Sequence, residues 1–447
     1  MRPSRSQNEE RQGELFRTEL RRLVDPGHEL VRLSAAVDWE ALEEAFGQHF
    51  CAETGRPAIA TRLMVALHYL KYEHDLSDEE VVRMWRENPY WQYLSGMKWF
   101  EHSEPIDPTS MTRWRRRIGE AGAERMLAET LKAGLRLGAL KASQLERVNV
   151  DTTVQEKHVR YPTDARLYDR ARERLAKEAG KLGIKLRQSY ARVGKKALLM
   201  QSRYAHTRKP KMARRETRKL RTWLGRIIRE LERKRPRAGT KLALLLGIAQ
   251  RIHEQKKGDK GKVYSFHEPH VECIAKGKAQ RKWEFGCKVG VVATSRGGWF
   301  LGAKAFHGNP YDGHTLTRAL EQAEAIAQML PKEAYADQGY RKHGYQGEVE
   351  VTVDKKRRGK TPRAKWKWMK RRAAVEPSIG HLKEHRRLDR NRLHGVQGDL
   401  LNIIFSAAGM NFAKILKHLR TLCSFFLRWL RTALRPLLTP CPSSLSA

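Results

Sequence analysis

The hydrophobic and polar positions divide the chain into three textures. From residue 1 to about 145 apolar residues recur at helical spacing and β-rich runs are few, which predicts an all-helical N-terminal region. Ser77, Asp78, Glu79 and Glu80 stand in capping-box order before VVRMWRE, so a helix is expected to begin there. Pro108, Thr109 and Ser110 precede a second helical stretch, MTRWRRRIG. From about 155 to 262 strand formers are scarce, and Leu220, Leu224, Ile227, Ile228 and Leu231 recur with a 3.6-residue period. That pattern predicts a helical unit with one apolar stripe and a basic outer face.

The third texture is β. Val148 and Val150 alternate around Asn149 in ERVNVDTT, a run that leads into Asp151 and whose preference Thr152 and Thr153 extend. FGCKVGVVAT (285–294) and GWFLGAKAF (298–306) flank a turn-like Ser295, Arg296, Gly297 and read as a hairpin. GNPYDGHTL then introduces the helix TRALEQAEAIAQML, which Pro331 ends. Short strands at AYAD and EVEVTV, a basic linker KKRRGKTPRAKWKWMK and a helical region RRAAVEPSIGHLKEHRRL follow. The predicted architecture is an α/β domain over 146–420, interrupted by a basic helical insertion at 155–262 after its first strand. A helical N-terminal DNA-binding domain, 1–145, precedes it, and an apolar and basic tail, 421–447, follows.

Charge changes the picture more than composition does. With 447 residues and 40% apolar side chains the chain has material for two or three domains with buried cores. A formal net charge of +39, more than half of it from the insertion, creates a field that attracts polyanions. Nucleic acid is the first candidate partner; an anionic membrane surface is the weaker one, because no amphipathic basic helix stands at either end of the charge excess. The apolar tail LCSFFLRWLRTALRPLL carries Arg428, Arg431 and Arg435 and reads as a packing or partner-binding helix rather than a membrane span. Five scattered cysteines without a CxxC pair argue against a zinc ribbon and a disulfide framework, and Cys273 and Cys287 read as small buried apolar residues. A reducing cytoplasm fits, as do the first thirty residues, which hold no signal-peptide apolar core.

Three acids stand out against this basic background. Asp151 and Asp337 each follow a short strand, and Glu376 sits in AAVEPS. Singly, such acids read as turn residues or salt-bridge partners. Converging, they would suit hard divalent cations, since Mg²⁺ is held by a few carboxylates while keeping waters and substrate phosphate. Two such ions can serve an in-line phosphodiester displacement. Pro377 is tolerated only in a first helical turn, which places the start of a helix near 373 to 375, with Glu376 in that turn and Lys383 on nearly the same face. Arg372 and Lys383 are candidate phosphate contacts. So are Arg113, Trp114, Arg115, Arg116 and Arg117, where basic and aromatic residues interleave as phosphate contact plus stacking requires, although a solvated helix face with one core tryptophan explains them as well. Asp312 reads as a capping or turn residue, and His314 and His381 as ordinary histidines.

These motifs resemble the bacterial insertion-sequence transposases of the DDE type, in the insertion sequence five-like group. VNVDTT, FHGNPYDGHTL, YADQGY and RRAAVEPSIGHLKEHRRLDRNRL carry the likeness over residues 35 to 415. The family pattern of tyrosine, arginine, glutamate and lysine maps onto Arg372, Glu376 and Lys383, with Met369 at the tyrosine position. The resemblance implies an RNase H-like catalytic fold with Asp151, Asp337 and Glu376 as catalytic and metal-binding residues. It implies two Mg²⁺ ions, with Mn²⁺ as a substitute, and hydrolysis at transposon ends followed by attack of the 3′-hydroxyls on target DNA. The expected partners are double-stranded DNA and at least one further copy of the chain, a homodimer or higher, with no membrane; the expected location is the cytoplasm. A non-catalytic DNA-binding relic and an RNase H-like nuclease of another role are the rival readings.

Overall fold

The computed structural model describes residues 18–50, 57–234, 240–275, 282–354 and 363–438, without the side chains of 363–364 and 422–438. Part of the basic linker and the end of the apolar tail, including the side chains of Arg428, Arg431 and Arg435, lie outside the described residues. Helices α1 (Leu20–Leu23), α2 (Glu29–Ala36), α3 (Trp39–Gly47), α4 (Thr61–Glu73), α5 (Asp78–Glu87), α6 (Pro89–Leu94) and α7 (Thr109–Arg136) come first. The capping box of α5 is present, with Ser77 accepting from the amide of Glu80 and Glu80 reaching back to that of Ser77. Strand β1 (Arg147–Glu156) leads into the insertion, made of α8 (Asp164–Lys181), α9 (Ala191–His206), α10 (Pro210–Arg233) and α11 (Lys241–Glu254). Then come β2 (Glu272–Ala275), β3 (Trp283–Thr294), β4 (Phe300–Phe306), α12 (Asp312–Ala327), β5 (Glu333–Ala336), β6 (Glu350–Val353), α13 (Arg363–Arg372), α14 (Val375–His385) and α15 (Gly395–Leu438).

The six strands form one mixed sheet. β1 is central, antiparallel to β3 and parallel to β5, and β6 extends the sheet parallel to β5. The far edge of β3 is shared by β4, along 288–293, and by β2, along 283–286. β2 is a strand the hydrophobic pattern did not predict, since four residues are too few to show a period. β1 also runs further than expected, to Glu156, because Thr152, Thr153 and Val154 continue the β-branched run; Asp151 therefore lies inside the strand and not at its end. β3 and β4 are apolar almost throughout because helices cover both faces of the sheet, with α12 against β3 and β4 on one side and α15 against β4 on the other. At Gly286 a Cβ would stand 1.9 Å from the carbonyl oxygen of Gln155, so only glycine lets β3 pass there.

The insertion has a core of its own. Leu220, Leu224, Ile227 and Leu231 are fully buried and Ile228 nearly so, packed with Leu175, Leu242 and Ile252. Each such burial contributes about 1.5 to 3 kcal/mol, so the stripe holds the helices together while the basic residues stay outside.

The N-terminal helices do not form a separate unit. Their buried residues, among them Leu67, Trp85 and Met126, belong to the same core as Val150 and Val291 of the sheet. The connection is α15, which packs on α4, α7 and β4. Residues 395–421 are long and apolar enough to cross a membrane, but 78% of their most apolar stretch is buried inside the protein, which marks a core helix. A domain boundary near 145 therefore separates the two textures but not two cores.

Candidate active site

Val150 of β1 pairs with Ala336 of β5 in parallel register. The next residue on each strand is a carboxylate, so Asp151 and Asp337 are neighbours across the sheet and point to the same face. Asn149 shares that face by alternation, and its Nδ2 donates to the carbonyl of Arg371 at 3.3 Å, which identifies the face as the one facing the α13–α14 connection. Asp151 Oδ1 accepts from the amide of Thr152 at 2.7 Å. Asp337 Oδ1 accepts from the amide of Gly339 at 2.9 Å and opens a 3₁₀ turn, Gln338–Tyr340.

Asp312 lies close to Asp337. It lies in the first turn of α12, but its side chain caps nothing. Its Oδ1 accepts instead from Thr152 Oγ1 at 3.0 Å and from Lys288 Nζ at 2.8 Å. A Cβ at Gly339 would stand 2.9 Å from Asp337 Oδ1 and 3.0 Å from Asp312 Oδ2, so both carboxylates crowd one point of the backbone. Beneath them the buried hydroxyl of Tyr340 is pushed well above its ordinary pKa, by burial first and then by the charges of Asp151, Asp312 and Asp337. The expectation of a capping Asp312 is thus corrected: a lysine and a threonine from two strands hold its side chain beside Asp337. Sequence spacing could not show this, because the three aspartates come from separate segments.

Glu376 sits where Pro377 requires, in the first turn of α14, the helix that packs on β1. Its side chain is 66% exposed and faces Arg372, which lies 3.9 Å away. Lys383 lies 3.9 Å from Glu284 of β3, with 20% of its side chain exposed. Lys288 offsets the charge of Asp312.

The arginine cluster at the start of α7 divides by burial. Trp114 is buried against Phe46 and His68, with ring centroids 5.4 Å and 4.9 Å away. Arg115 is buried as well and forms a two-point ion pair with Asp78 at 2.8 Å and 2.6 Å. Neither can stack on or contact DNA, which corrects that expectation; one face of a helix entering a core takes them both inward. Arg113, Arg116 and Arg117 remain exposed. A basic and aromatic cluster that the sequence reading passed over surrounds Trp368 of α13, where Arg147, Arg296 and Arg371 place their guanidinium groups 5.0 Å, 5.1 Å and 5.4 Å from the ring centre. Its signal was the KWKWMKRR run, whose partners only folding supplies.

Residues 18–117 match the family Transposase domain (DUF772), and residues 250–412 match the family Transposase DDE domain. The second match covers Asp337 and Glu376, while Asp151 lies between the two matched stretches. The chain is 51% identical over 208 residues to "Uncharacterized protein ORF8 in nfe locus" of Rhizobium meliloti, an alignment that covers 46% of this chain and 99% of that protein. No solved structure matches.

Proposed function

The chain belongs to the DDE transposases of insertion sequences, metal-dependent enzymes that cut and transpose DNA, and from that membership we propose that Asp151, Asp337 and Glu376 are its catalytic carboxylates. The observation that carries this reading is the register of β1 and β5, which sets Asp151 beside Asp337. The strand order, with an antiparallel β3–β4 hairpin on one side of β1 and parallel β5 and β6 on the other, supports an RNase H-like fold.

In this reading Asp151, Asp337 and Glu376 hold two Mg²⁺ ions, or Mn²⁺ in their place. When bound, the ions activate the attacking oxygen and stabilise the leaving oxygen of the phosphodiester. The protein's own residues do the rest. Lys288 and Thr152 fix Asp312, the Gly339 amide orients Asp337, and the Thr152 amide orients Asp151. Arg372 binds phosphate beside Glu376, and Lys383, two turns further along α14 and close to Glu284 of β3, binds phosphate there. Trp368 and its three arginines lie beside the same face, where they can clamp a strand. Arg113, Arg116 and Arg117 supply phosphate contacts at the N-terminal end.

The substrate is double-stranded DNA at the element's terminal repeats: the enzyme first exposes 3′-hydroxyls there and then joins them to target DNA. Bringing two ends together calls for at least a homodimer, working in the cytoplasm. The test is cleavage of a labelled duplex carrying the ends of the element, with Mg²⁺, Mn²⁺ or EDTA, by the native protein and by Asp151→Asn, Asp337→Asn and Glu376→Gln. Metal-dependent nicking at the element end, lost in each variant while DNA binding survives, supports the assignment. Variants that cut like the native protein overturn it.

A further inference from the structure

At the C-terminal end of β1, a second group of metal-binding side chains comes together. Cys287 of β3, His307 just after β4 and Asp399 of α15 offer ligand atoms that all lie within 4.8 Å of one another. His270, on the segment by which the insertion returns to the sheet, brings Nε2 to 3.3 Å from Asp399 Oδ2, and His307 Nε2 lies 3.8 Å from the same oxygen. A tetrahedral zinc ion with bonds of about 2.0 to 2.3 Å has ligand–ligand edges of about 3.3 to 3.8 Å.

The polar atoms at this place are poorly satisfied by protein alone. Both ring nitrogens of His307 and Oε2 of Glu272 are buried with no hydrogen-bond partner, and such groups are costly unless something binds them, while Nε2 of His270 faces two buried carboxylates, Glu268 at 3.2 Å and Asp399 at 3.3 Å. Asp399 is oriented in a telling way. Its Oδ1 accepts from Lys157 Nζ at 2.7 Å and Asn391 Nδ2 at 2.6 Å, which leaves Oδ2 turned toward the two histidines. Outer hydrogen bonds of this kind fix a ligand's direction in metal sites. Charge points the same way. Glu268 and Asp399 are both buried with Lys157 as the shared ammonium, 3.4 Å and 2.7 Å away, and Glu272 adds a third carboxylate nearby. His394 also contacts Glu268, from a largely exposed position. A divalent cation offsets the remaining negative charge. Soft sulfur, imidazole and carboxylate together select zinc over magnesium.

We propose that Cys287, His307, His270 and Asp399 bind a structural zinc ion that ties the returning end of the helical insertion to β3, β4 and α15. The site uses none of the carboxylates Asp151, Asp337 and Glu376. The ion closes four segments distant in sequence, so it stabilises the junction rather than taking part in strand cleavage.

The test begins with metal analysis of the full-length protein purified without chelator or added metal. One zinc per chain, retained equally by Asp151→Asn and Asp337→Asn, is expected. Cobalt substituted for the zinc should give a sulfur-to-metal charge-transfer band that disappears in Cys287→Ser and persists in Cys273→Ser. Should Cys287→Ser not fold, zinc X-ray absorption of the unaltered protein decides, with one sulfur near 2.3 Å and nitrogen or oxygen near 2.0 to 2.1 Å expected. A protein that neither retains zinc nor takes up cobalt overturns the proposal. So does a band that survives Cys287→Ser, or a zinc shell with no sulfur or with several.

Discussion

Asp151 of β1 and Asp337, the residue that follows β5, are brought side by side because Val150 and Ala336 are register partners in two parallel strands. Two adjacent carboxylates repel when no cation lies between them. Replacing either by asparagine is expected to leave the unfolding free energy of the metal-free protein undiminished, while lowering cleavage by about 1000-fold or more. Denaturant melts in EDTA, alongside nicking assays in Mg²⁺, measure the two effects. A variant that loses both stability and activity would point to a structural role instead.

Gly339 offers a finer probe of the same place. A methyl group there meets Asp337 Oδ1 at 2.9 Å and Asp312 Oδ2 at 3.0 Å, so at least one carboxylate must move. Gly339→Ala should cut the cleavage rate by about 10- to 100-fold, as small misplacements of reacting groups do. DNA affinity, read by fluorescence anisotropy, should stay unchanged.

The five residues from Arg113 to Arg117 are expected to separate into two classes. Trp114→Ala removes a buried ring packed on Phe46 and His68 and should cost about 3 to 5 kcal/mol in urea unfolding. The combined change of Arg113, Arg116 and Arg117 to alanine should leave stability nearly unaltered. It should instead weaken DNA binding across sequences and lower the salt slope by about one for each phosphate contact removed. Equal affinity of this triple variant and the native protein would remove these arginines from the DNA interface.

His68 makes the N-terminal core sensitive to acid. Burial first, and then the positive charge of Arg115, push its pKa down to about 3. An unfolded histidine titrates near 6.5, so between about pH 6.5 and 3 the unfolded chain binds a proton that the native one refuses. Stability therefore falls as pH drops through that window, by about 2 kcal/mol from pH 6.5 to 5 for this group alone. His68→Gln should reduce the loss of stability between pH 7 and 5 by that amount in paired denaturant melts. A variant with an unchanged pH slope would show that other groups carry the acid sensitivity. Asp78 adds to it at lower pH. Burial opposes its ionisation, but Arg115 and Lys71 outweigh that and hold its carboxyl below the usual range, so its contribution fades only as pH falls below about 4.

The sequence alone determined the kinds of element and their order, the four-residue β2 excepted. Alternation at Val148 and Val150, the stripe from Leu220 to Leu231 and the capping box at Ser77 each report how neighbouring residues divide between core and water, and such local division survives in the fold. Proline chemistry likewise placed Glu376 in a first helical turn. What lay between distant segments was not legible. The period of a strand shows which side chains share a face but not which strand lies beside it, so the neighbourhood of Asp151, Asp337 and Asp312 awaited the register of β1 with β5 and the position of Lys288. Arg115 and Arg116 are alike as letters, and only the packing of α7 decided that one pairs with Asp78 in the core while the other faces solvent. For the same reason Cys287, counted as a small apolar residue, proved to stand beside His307 and Asp399. Tertiary packing brings such groups together because it minimises exposed apolar area over the whole chain, and that sum has no signature in any single stretch of sequence.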